Sequence, residues 1–95
     1  MPKRTLGSGR LGRAGGGRVL LVAGGRDTAV TPGEVACIDD KLRAEGVETQ
    51  VCVDSAAEHM DVVERNVPFA LSWVDALLAG RPLPSCDASG LPACR

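Results

Sequence analysis

The stretch RVLLVAGGRDTAVTPGE, Arg18 to Glu34, decides the fold class. Arg18 to Ala23 is a continuous apolar run rich in β-branched residues, ended by Gly24 and Gly25. A run of this kind predicts a strand covered on both faces, as in a parallel sheet. A loop from Gly24 to Val30 follows, and Thr31-Pro32-Gly33-Glu34 then places a capping hydroxyl, a proline at the first helical position and a glutamate at the third. The helix predicted to start there carries Val35, Ile38 and Leu42 as one apolar stripe and stops at Gly46.

Downstream, Val47 to Val53 reads as a second strand, with Val47, Thr49, Val51 and Val53 on one face and Glu48, Gln50 and Cys52 on the other. Asp54 to Asp61 reads as a polar loop. Pro68 is expected to open a final helix in which Phe69, Trp73 and Leu77 align, flanked by Leu71, Val74 and Leu78, and which Gly80 and Pro82 end. The predicted fold class is therefore α/β: a βαβα unit with two parallel strands and two flanking helices, the crossover being right-handed. Three regions follow: a flexible, basic, glycine-rich leader over residues 1–17, the βαβα unit over residues 18–80, and an irregular tail holding cysteine and proline over residues 81–95.

Ligand sites in parallel sheets lie beyond the C-terminal ends of the strands. That rule selects the loops that begin at Gly24 and Asp54, of which the first holds Asp27 and the second His59, the only histidine. Neighbouring strands run about 4.8 Å apart, so the carboxylate and the imidazole are expected side by side. Such a pair is the orienting half of a catalytic triad, in which the acid holds the ring tautomer and stabilises the imidazolium. Each residue also has a plainer reading. An aspartate in a glycine-rich turn commonly hydrogen-bonds its own backbone, and a lone loop histidine commonly faces solvent or spaces a loop. Asp54, Glu58 and Asp61 are rival partners for the ring.

Gly24-Gly25-Arg26-Asp27-Thr28-Ala29-Val30, the capped helix, the short strand and Ala57-Glu58-His59-Met60-Asp61 resemble the last third of the α/β-hydrolases. In that family the acid follows the penultimate strand as G-x-x-D-x-x-V, and the histidine follows the last strand. The run Pro68-Phe69-Ala70-Leu71-Ser72-Trp73 and the ending Leu78 to Cys86 resemble the closing helix and tail of secreted lipases from actinobacteria and fungi. Over residues 18–86 the resemblance implies a partial α/β-hydrolase fold from a secreted, disulfide-bonded lipase or esterase acting on lipid esters. It also implies Asp27 and His59 as catalytic acid and base, with no metal or organic cofactor. The nucleophile elbow G-x-S-x-G is missing from these 95 residues; Gly7-Ser8-Gly9 lacks the glycine two positions before the serine and the apolar strand leading into it. No nucleophile is assigned.

Charge divides the chain. Residues 1–18 hold Lys3, Arg4, Arg10, Arg13 and Arg18 with no acid, leaving 11 − 5 = 6 bases against 12 acids afterwards. The leader suits an electrostatic tether, but no aromatic residue interleaves the bases to stack on a nucleobase, so nucleic acid is not the expected partner. Neither a signal-peptide apolar core nor a run of about 18 apolar residues occurs, so the compartment stays open and no membrane span is expected. Cys37, Cys52, Cys86 and Cys94 favour an oxidising compartment and leave three pairings open; Cys37 and Cys52 would equally serve as small buried side chains. Their spacing fits no zinc site. Two functions compete: the acid-and-histidine part of a serine ester hydrolase, inactive alone, and a non-catalytic α/β binding module with a basic tether. A two-stranded sheet with open edges is expected to need either the missing half of the hydrolase fold or a self-association partner.

Overall fold

The computed structural model describes residues 17–94, so all but Gly17 of the proposed basic leader lies outside the described residues. Four elements follow in the order β1 (Arg18–Gly24), α1 (Pro32–Ala44), β2 (Glu48–Asp54) and α2 (Val62–Ala79). The strands pair in parallel, with Arg18 opposite Glu48 and Gly24 opposite Asp54. This is a small α/β unit of βαβα order.

Strand alternation sends Leu21, Ala23, Val51 and Val53 to one face, where they pack with Val35 of α1 and Leu91 of the tail. The other face carries Val22, Gln50 and Cys52; there the buried Trp73 of α2 donates its indole N–H to Gln50 Oε1 at 2.8 Å. A helix thus covers each side of the sheet, which is why β1 is apolar at every position between Val19 and Ala23.

Helix α1 is built from local signals. The Glu34 amide donates to Thr31 Oγ1 and the Thr31 amide to Glu34 Oε1, closing the capping box. At the other end Gly46 takes φ 87°, and the amides of Gly46 and Val47 donate to the carbonyls of Arg43 and Leu42. Its packed face differs from the expected stripe. Val35, Ala36 and Asp39 are buried, whereas Ile38 is exposed, because the Asp39 carboxylate is drawn inward by the Thr49 hydroxyl and by Arg43.

Helix α2 begins six residues before the expected start, at Val62, and Pro68 sits inside it. Tertiary contacts outweigh the missing proline N–H. Val62 is buried, and Arg65 and Asn66 in the first two turns both donate to Asp54 at the end of β2. Of the predicted stripe, Trp73 is buried with Ala76, while Leu71, Val74 and Leu78 are exposed.

The tail is irregular, as expected, but it is fastened. Cys86 is bonded to Cys52 and Cys94 to Cys37, so neither Cys37 nor Cys52 is the unbonded buried side chain considered above. The Val53 amide donates to the Asp87 carbonyl and Gln50 Nε2 to the Pro84 carbonyl. The tail therefore covers the outer edge of β2, an edge that sequence reasoning leaves open. The outer edge of β1 has no strand beside it among the described residues.

Candidate functional site at the strand ends

Both strands finish at one rim, where Gly24 and Asp54 lie opposite each other. The loops leaving that rim are stitched together: the Gly25 amide donates to the Asp54 carbonyl at 2.8 Å and the Arg26 amide to the Ala57 carbonyl at 2.9 Å. The fit admits no side chain. A Cβ on Gly24 would stand 2.9 Å from the Ala57 oxygen, and one on Gly25 would stand 2.8 Å from Ser55 Cα. These two glycines let the acid-bearing loop lie directly on the histidine-bearing loop.

Asp27 is held in two ways. Its Oδ1 accepts from the amides of Ala29 at 2.8 Å and Val30 at 2.9 Å, which fixes the carboxylate plane. Its Oδ2 stands 3.1 Å from His59 Nδ1. The Asp27 side chain is 4% exposed and that of His59 52%, so a sheltered acid meets a ring that still reaches solvent. Burial by itself raises the Asp27 pKa. The Val30 amide, His59 and the Ala29 amide outweigh it and hold the carboxyl below its ordinary value. An ionised acceptor on Oδ2 places the ring proton on Nδ1 and leaves Nε2 of the neutral ring as a base.

The rival carboxylates are engaged elsewhere. Asp54 accepts from Arg65 Nε at 2.8 Å, Arg65 Nη2 at 3.1 Å and Asn66 Nδ2 at 3.1 Å, and its pKa is lowered to about 2, chiefly by the Arg65 hydrogen bonds. Asp61 Oδ1 accepts the Glu58 amide at 2.7 Å, and Glu58 lies 3.6 Å from Arg26 across the two loops. These contacts shape the loop carrying His59, and sequence reasoning missed Arg65 and Asn66 as its anchors. An acid at a strand end followed eleven residues later by an arginine on the next helix is the only signal that would have suggested them.

Other features sit away from this rim. A cavity of about 590 Å³ lies at the N-terminal ends of the strands, lined by Arg18, Arg43, Val47, Gln50, Trp73 and Leu83 among others. Arg18 pairs with Glu48 there and Arg43 with Asp39, so both cations have carboxylate partners. Among the described residues no group of three histidine, cysteine or acidic side chains is placed to hold a metal ion, and no helix is long and apolar enough to cross a membrane. No family model, curated protein or solved structure matches the chain.

Proposed function

We propose that this chain supplies the acid and the base of a serine ester hydrolase of lipase or esterase type. One observation carries the reading: a sheltered carboxylate, locked by two backbone amides, meets Nδ1 of a half-exposed imidazole at the C-terminal rim of a parallel sheet. The resemblance of residues 18–86 to the closing part of secreted lipases supports it, and the two disulfides accord with an oxidising compartment.

In this reading the nucleophilic serine and the oxyanion donors come from polypeptide outside these 95 residues. His59 Nε2 takes the serine proton as the serine oxygen attacks the ester carbonyl, and the Asp27 carboxylate stabilises the imidazolium. The ring then passes that proton to the departing alcohol, leaving an acyl-serine. Water, deprotonated by the same Nε2, attacks the acyl carbon and releases the acid with the serine restored. Asp27 keeps its charge throughout, which the two amides and its lowered pKa favour.

The test is reconstitution with a serine-bearing strand–turn–helix half, fused ahead of Met1 or supplied separately, assayed on p-nitrophenyl butyrate. His59→Ala is expected to lower kcat/KM by at least about a thousandfold, and Asp27→Asn by a comparable factor. Activity within about threefold of the parent after His59→Ala would remove the reading.

A further inference from the structure

Helix α2 has two apolar faces. Trp73 and Ala76 on the first are buried. The second consists of Val63, Val67, Leu71, Val74 and Leu78, between 42% and 82% exposed. At about 100° per residue these five fall within about 80° of one another, forming a stripe the length of the helix that holds no charged residue. Between this stripe and β1 lies an apolar groove of about 260 Å³, lined by Val22, Val62, Val63, Asn66, Val67 and Ala70. Trp73 on one side of α2 bonds Gln50 of β2, while the groove on the other side lies against Val22 of β1, whose outer edge has no strand beside it among the described residues.

We infer that this face is a two-fold dimer interface, β1 pairing antiparallel with β1 of a second copy while the two α2 stripes meet above it. The occupant must satisfy two demands together: backbone groups for an unpaired strand edge and apolar side chains for the groove. A lipid surface meets only the second. A second copy meets both, because a two-fold axis sets each feature against itself. The stripe tolerates this. Its intervals are 4, 4, 3 and 4 residues, almost the same read backwards, so Val63 falls opposite Leu78 of the partner subunit and Val67 opposite Val74 of the partner subunit. With no charge in the stripe, self-contact brings no like charges together. Centring the strands on Leu21 likewise sets Arg18 against Gly24 of the partner subunit.

The widths also agree. A helix is about 10 Å across and strands are about 4.8 Å apart, so two α2 helices side by side cover a four-stranded sheet at normal packing distance. The face measures about 25 Å by about 20 Å, or about 500 Å² per copy, below the ~800 Å² of a standard interface. A face of that size is expected to associate weakly, so that monomer and dimer exchange with concentration. In the hydrolase reading a serine-bearing half would need this same free edge of β1, so the dimer is inferred for the chain without that half.

Sedimentation velocity on the oxidised full chain, from about 1 to about 300 µM, tests it. Mass rising from one chain to two and no further is expected, with Val74→Asp weakening association at least tenfold and Ser72→Asp, on the opposite exposed face of α2, changing it less than twofold. Val74 is exposed in the single chain, so Val74→Asp is expected to keep the circular dichroism of the dilute parent. A monomer across the whole range, a dimer indifferent to Val74→Asp, or an open-ended series of larger species would each overturn the inference.

Discussion

The two oxygens of Asp27 do different things. One is held by the loop's own amides, the plain reading of an aspartate in a glycine-rich turn; the other meets His59, the catalytic reading. The structure contains both contacts, and the first steadies the second, since a carboxylate fixed in plane presents a fixed lone pair to the ring. Asp54 acts at the same scale. Its folded pKa, about 2, lies below the ordinary value of 3.8, so its contribution to stability is complete above about pH 4 and is lost as pH falls through about 2. Asp27, also lowered, acts with the same sign. The urea midpoint is therefore expected to drop between about pH 4 and pH 2, and Asp54→Asn is expected to lower the midpoint at pH 7 and flatten that drop. A parent midpoint unchanged across this interval would contradict the assignment. The strand-end rule made the meeting of Asp27 and His59 legible from sequence because it depends only on the order of elements. The Arg65 and Asn66 anchors were not legible, since their reach depends on where α2 begins.

At the level of elements, α1 was readable because its start is local: Thr31, Pro32 and Glu34 cap a helix whatever surrounds them. The start of α2 was misread because proline was given its usual meaning. Pro68 leaves the Glu64 carbonyl without an intrahelical donor, yet the helix runs through it, since Val62 is buried and Asn66 donates both to the Val62 carbonyl and to Asp54. Mid-helix proline costs up to about 3 kcal/mol relative to alanine. Because Pro68 is exposed, Pro68→Ala is expected to raise unfolding free energy by about 1–3 kcal/mol without moving the core, measured by urea denaturation. Destabilisation would mean that the ring sets the helix path. Leu71, Val74 and Leu78 were expected to flank the packed stripe and are instead exposed, because an apolar surface about 220° wide does not say which half faces its own sheet.

At the scale of the fold, the buried apolar set among the described residues is thin, ten residues with Trp73 the only large one. So small a core needs staples. The disulfides provide them: Cys37–Cys94 spans 57 residues and Cys52–Cys86, nested inside it, spans 34. Chain-entropy reasoning assigns about 4 kcal/mol to either alone and less to the second once the first is closed. Replacing Cys52 and Cys86 together by serine is expected to cost about 2–4 kcal/mol and to expose the β2 edge, seen as faster hydrogen exchange at the Val53 amide. Unchanged exchange there would show that the tail holds without its bond. Three pairings were open from sequence, since bonds over 34 and 57 residues depend on how the tail returns to the sheet.

The orientation of one ring tests the central claim most directly. His59 is the only histidine, so the ¹⁵N spectrum of the uniformly labelled protein, recorded at alkaline pH, reports its tautomer without ambiguity. The neutral ring is expected to carry its proton on Nδ1 in the parent and to shift towards Nε2–H in Asp27→Asn. A parent ring protonated mainly on Nε2, or a tautomer that Asp27→Asn leaves unchanged, would contradict the account.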